Sequence, residues 1–237
     1  DGFLDDNQGL AGFYGDNTIA VSGAFRPIFN DMEIIVADNV HLNIAVGVEN
    51  HTNFILGNIT TPREASFNAL NLTADSFYTG SSDTSKVDGY VTLSEQQNFI
   101  FPVGDQEQLR PLILNSETIN PIVSCAYFYE DPNNPSTFIG SFNTNSKEPA
   151  LTNISTREFW HIDGSVLSSI QISWNERSAI NLLTDNTDDI TVVGWSISRN
   201  RWENLGGIAT GDFLQGLAIS RNFIPNDYTI LTFGTIK

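Results

Sequence analysis

The chain has 237 residues, with 28 acidic against 11 basic side chains and a formal net charge of −17. A field of that sign repels phosphate backbones and anionic lipid headgroups, which excludes nucleic acid as a partner. Hydrophobic residues make up 40% and charged residues only 16%, so the composition is that of a folded chain whose polar surface is Asn, Ser and Thr.

Short apolar runs recur every eight to twelve residues, punctuated by Gly, Asn, Asp and Pro, and helical periodicity is nearly absent; that pattern predicts an all-β fold. In chain order the expected strands begin with Thr18–Val21, Glu33–Val36, His41–Val46, Asn53–Leu56 and Phe67–Leu72. Tyr90–Leu93, Asn98–Phe101 and Arg110–Leu114 follow. The later set is Ser124–Tyr129, Phe138–Phe142, Glu158–Ile162, Ser169–Trp174, Ile190–Ser196, Arg201–Asn204, Gly216–Ile219 and Tyr228–Phe233. Ile170, Ile172 and Trp174 alternate onto one face, as on a half-buried strand. Turns are expected at Asp88–Gly89, Asp163–Gly164 and Gly206–Gly207. Asp131–Pro132–Asn133–Asn134–Pro135 must be a loop, since its prolines cannot donate to a ladder.

The texture changes along the chain. Residues 1–118 read as a short-strand β region, with a loose spacing near ten residues through Ile19, Ile34, Leu42 and Phe54. That spacing is compatible with a small β-solenoid stack. Residues 119–237 carry longer alternating strands and read as an antiparallel β-sandwich, with the boundary near Asn115–Pro121. A single continuous domain is the alternative. The lone Cys125 lies in the apolar run Ile122–Phe128 and is expected to be a buried small hydrophobe. No stretch approaches the roughly 18 apolar residues of a membrane helix, so membrane insertion is not expected. The opening Asp1–Gly2–Phe3–Leu4–Asp5–Asp6 lacks a signal-peptide pattern, as a processed or excised segment would.

The middle of the chain carries Lys86–Val87–Asp88–Gly89–Tyr90–Val91, then Phe99–Ile100–Phe101–Pro102–Val103–Gly104–Asp105, then Leu109–Arg110–Pro111–Leu112. Further pieces are Phe13–Tyr14–Gly15–Asp16–Asn17, Thr60–Thr61–Pro62–Arg63, Glu158–Phe159–Trp160–His161–Ile162–Asp163–Gly164, Val193–Gly194–Trp195 and Phe223–Ile224–Pro225–Asn226–Asp227–Tyr228. Together they resemble a module of large Bacteroidetes surface proteins exported by the type IX secretion system and associated with gliding motility. The resemblance implies an extracellular or cell-surface location and a role in adhesion or gliding within a longer chain. It implies neighbouring domains of that chain as partners and contact with the secretion machinery through a sorting domain not present here, while surface polysaccharide is the partner of the carbohydrate-binding alternative below. It implies no reaction. Arg63 and Arg110 are expected to pair with acids or cap carbonyls.

Few constellations suggest chemistry. His41, His51 and His161 form no metal-ligand spacing, and His161 is expected to be a hydrogen-bonded structural residue. No Gly-x-Ser-x-Gly elbow is present, and Ser81–Ser85 reads as a polar loop. Glu158 and Glu176, flanking the Trp160–Trp174 region, are the carboxylate pair a glycosidase-like reading would use. The expected reading is non-enzymatic. Two oxygen-rich clusters, Asp5–Asp6–Asn7 and Asp185–Asn186–Thr187–Asp188–Asp189, are candidate calcium sites, with Asp185, Asp188 and Asp189 as ligands, although neither has EF-hand spacing. Without calcium, no cofactor is expected. The alternative function is a carbohydrate-binding module with Trp202 and Tyr127 as exposed stacking residues, while the four tryptophans as a group read as core.

Overall fold

The structure is a computed structural model that describes residues 9–237. The chain is all-β. The described residues form twenty strands: β1 Leu10–Gly15, β2 Ile19–Val21, β3 Ile28–Leu42, β4 Val46–Thr60, β5 Leu70–Leu72, β6 Phe77–Thr79, β7 Val87–Asp88, β8 Val91–Leu93, β9 Gln96–Phe101 and β10 Val103–Gly104. The series continues with β11 Leu112–Asn120, β12 Val123–Phe128, β13 Leu151–Ile154, β14 Phe159–Gly164, β15 Ser168–Asn175, β16 Ile190–Ser196, β17 Arg201–Gly206, β18 Ile208–Gly211, β19 Gln215–Ile219 and β20 Tyr228–Ile236. Two compact units result. One holds the described residues to Gln96 with Pro102–Arg110 and Asn120–Ala126; the other holds Gln97–Phe101, Pro111–Ile119 and Tyr127–Lys237.

The first unit is a stack of parallel coils. β1 and β2 both pair in parallel with β3, and β3 pairs in parallel with β4. β4 then pairs along its length with β5, β6 and β7, which divide the next coil into three short pieces. β5 pairs with β8 and β7 with β10, again in parallel, and β12 closes onto β8 in the antiparallel sense. From β3 to β4 the coil returns after twenty residues, as in Asp31↔His51 and Ile34↔Phe54, and the return is longer from β4 to β6 and β7, as in His51↔Phe77 and Ile59↔Val87. The short-strand expectation needs correcting here. Glu33–Val36 lies within one 15-residue strand, β3, which ends at Leu42, so the expected strand His41–Val46 instead spans the turn into an equally long β4, which holds Asn53–Leu56. Register shifts at Phe29/Asp31, Ile34/Ile35 and Ile35/Asn39 bend these long strands.

Inside the coils, aliphatic side chains stack in columns. Ile19, Val40, Ile59, Val87 and Val103 occupy successive positions of one column. Val46, Leu70 and Val91 form a second, and Val48, Leu72 and Leu93 a third. All but Ile19 are fully buried. The parallel register places like side chains above one another, and the columns are filled by Val and Ile with Leu70, Leu72 and Leu93.

The second unit consists of two antiparallel sheets. β14 and β13 pair with β20, followed by β16 and β17. The other sheet runs β18–β19–β15–β11–β9. The inner faces meet where Trp174 of β15 stands edge-on to Phe233 of β20, with ring centroids 5.9 Å apart. Trp160 also packs edge-on to Phe233. The expected strand at Phe138–Phe142 is instead irregular. Phe138 packs against Phe128, Phe159, Phe142 and His161, so Phe138 and Phe142 plug the core from a loop.

Candidate functional site

The residues singled out in the sequence divide into three groups by what surrounds them. The first is aromatic and buried. Trp202 is fully buried on β17, donates its indole N–H to the Phe142 carbonyl at 3.2 Å, and packs edge-on against Trp195. Tyr127 is fully buried, donates its hydroxyl to Glu158 Oε2 at 2.8 Å, and tilts against Trp160. Neither ring face is open to a sugar, which corrects their assignment as stacking residues. The polar neighbours of Trp202 misled because on a strand they point away from it. All four tryptophans are core. Glu158 is buried with Tyr127 as a hydrogen-bond partner, whereas Glu176 lies in a short 3₁₀ turn.

The second group is the acidic loop before β16. Asn186 caps the turn Thr187–Asp189 by accepting from the Asp188 N–H at 3.2 Å. Asp189 accepts from Thr184 Oγ1 at 3.3 Å and from Asn186 Nδ2 at 3.4 Å. Asp185 and Asp188 are exposed. Asp188 and Asp189 stand in the first turn, where exposed N–H groups favour negative charge. No group of three or more His, Cys, Asp or Glu gathers around a common point among the described residues. Asp5–Asp6–Asn7 lies outside the described residues.

The third group belongs to the coil stack. Arg63 forms a salt bridge with Asp88 and donates to the Gly104 carbonyl at 3.3 Å, so it both pairs with an acid and caps a carbonyl. Lys86 is fully buried and donates to Asn58 Oδ1 at 3.3 Å and to the Asp83 carbonyl. Cys125 is buried. His41 contacts Thr60 Oγ1 at 2.8 Å, while outside the stack, on β14, His161 contacts Asp163 Oδ1 at 3.4 Å. The His161 hydrogen bond holds the Asp163 carboxyl below its ordinary value, against the upward push of desolvation.

One surface escaped the sequence reading. Met32, Ile34 and Val36 point into the coils, so Asp31 and Glu33 point out, and the register places them beside His51 and Asn53, then Phe77 and Thr79. Tyr14 donates its hydroxyl to Glu33 Oε1 at 2.9 Å. Asn53 donates to Glu33 Oε2 at 2.8 Å and accepts from Thr79 Oγ1 at 3.2 Å. His51 Nε2 meets Thr79 Oγ1 at 2.8 Å, and its ring stacks on Phe77 with centroids 4.6 Å apart. The hydrogen bond to Glu33 raises the Tyr14 pKa, as do desolvation and the carboxylate's charge, so the phenol stays a donor at neutral pH. The signal was present as Asp31–Met32–Glu33–Ile34 and His51–Thr52–Asn53–Phe54, two alternating strings twenty residues apart. Reading it required knowing that the coils are parallel.

No protein-family model, curated protein or solved structure matches this chain.

Proposed function

We propose that this chain is a non-enzymatic structural or adhesive module of a larger secreted bacterial surface protein, exported by the type IX route and working outside the cell. Its partners are then the neighbouring domains of the same chain. The observation that carries this reading is the coil stack, with its parallel backbone ladder and continuous interior columns. Each coil buries its apolar face only against its neighbours, which makes such a stack a rigid spacer. The residues behind the family resemblance have framework roles that fit the same reading. Val87 and Val103 belong to an interior column, and Asp88 and Gly104 are tied together by Arg63. The −17 charge keeps such a surface solvated and resists association. Among the described residues no helix is long and apolar enough to cross a membrane.

Single-molecule pulling between the two chain ends tests the mechanical part. The expected record contains steps of about 7 nm, the extended length of one twenty-residue coil. Featureless yielding at low force would overturn it. Antibodies against the chain should also label intact, unpermeabilised cells of the source organism, and labelling only after permeabilisation would remove the surface assignment.

A further inference from the structure

The outward face of the coil stack has the makings of a binding surface, and we infer that it holds an uncharged polysaccharide lying across the coils. This deepens the adhesive reading above by naming a ligand class and a site. Two aromatic rings flank the face. The Tyr14 ring fills the space beside Gly12, where an added Cβ would come within 2.4 Å of its ring carbons, and the tyrosine remains 55% exposed. Phe77 is backed by the His51 ring and is 49% exposed. Phe77 thus has one face supported by His51, and both rings are about half open to solvent, as platforms for a pyranose ring require.

Between the platforms runs the hydrogen-bonded row Glu33, Asn53 and Thr79. Hydrogen bonds this exposed add little to stability, because water competes for them. They do fix the rotamers. A row held in place before the ligand arrives loses less entropy on binding. Each Glu33 oxygen has accepted one hydrogen bond and retains a lone pair for a sugar hydroxyl. Neighbouring coils lie about 4.8 Å apart, comparable with the length of one hexose in an extended glycan, and three coil steps separate the Tyr14 and Phe77 strands by about 14 Å. Charge selects among glycans. The outward groups Asp31 and Glu33 are anionic, Arg and Lys are absent from β1, β3, β4 and β6, and the chain carries −17, so acidic polysaccharides are repelled.

The experiment is a glycan array carrying neutral and acidic polymers, followed by calorimetric titration with the best neutral oligosaccharide. The purified chain is expected to bind at least one neutral polymer and no acidic one. Tyr14→Ala and Phe77→Ala should each weaken binding at least tenfold, while Tyr14→Phe, which keeps the platform, should stay within about threefold. Thermal melts of the same variants separate lost binding from lost fold; because both rings are exposed, the midpoints should move little. No binding to any neutral polymer, or binding that both alanine variants leave intact, overturns the inference. Either result leaves the pulling and surface-labelling outcomes untouched, so this failure is distinguishable from failure of the structural-module reading.

Discussion

At Trp202 the indole N–H, the ring volume and the strand position all serve packing. Trp202→Phe removes the hydrogen bond to Phe142 and part of the ring, leaving a buried carbonyl with one donor fewer. The expected loss is about 1–3 kcal/mol, read by urea denaturation at neutral pH. Gly57 is constrained differently. Its φ is +84°, and an added Cβ would lie 1.9 Å from the Val36 carbonyl oxygen. Gly57→Ala therefore strains the backbone and displaces the neighbouring coil, with an expected cost of about 2 kcal/mol or more. Asp163 offers a titration. Its folded pKa is depressed by His161, so the pair stabilises the fold above the unfolded carboxyl value of about 3.9 and loses that contribution as pH falls through the folded value. Carbon-detected NMR should place the Asp163 midpoint below the ordinary carboxylate range, and His161→Phe should return it upward. A midpoint unmoved by that substitution would remove His161 as the cause.

Among elements, the coils bury their aliphatic side chains in interior columns. Ile59 lies between Val40 and Val87 with no exposure, and a truncation there cannot be refilled by residues fixed above and below. Ile59→Ala should cost about 2–5 kcal/mol, whereas Ile55→Ala, earlier on the same strand at a site 47% exposed, should cost far less. A chemical denaturation series on the two variants checks the difference. The parallel register of these strands also explains what was hard to read. The strands β5, β6 and β7 have only three, three and two residues, and each is held because β4 presents a long template beside it. Local propensity has little to say about a two-residue strand. Antiparallel strands such as β15 and β16 were legible because alternation or a continuous apolar run is written into each strand itself.

For the whole molecule, the charge of −17 makes self-repulsion a measurable term. Raising sodium chloride from about 10 mM to about 0.5 M shortens the Debye length from about 30 Å to a few ångströms, and the melting midpoint should rise by several degrees. A midpoint that falls with salt would show that the ion pairs, such as Arg63–Asp88, outweigh the repulsion. The sequence by itself determined the all-β class, the absence of histidine and cysteine metal spacing, the burial of Cys125, Trp174 and Trp195, and the framework role of Arg63, because composition and alternation are local properties. Only the tertiary structure decided that Trp202 and Tyr127 are closed to ligands, and that Tyr14, Glu33, Asn53, Thr79, His51 and Phe77 share one open face. The physical reason is the parallel coil: it brings together residues some twenty positions apart, and the register that aligns them is set by the packing of the interior columns.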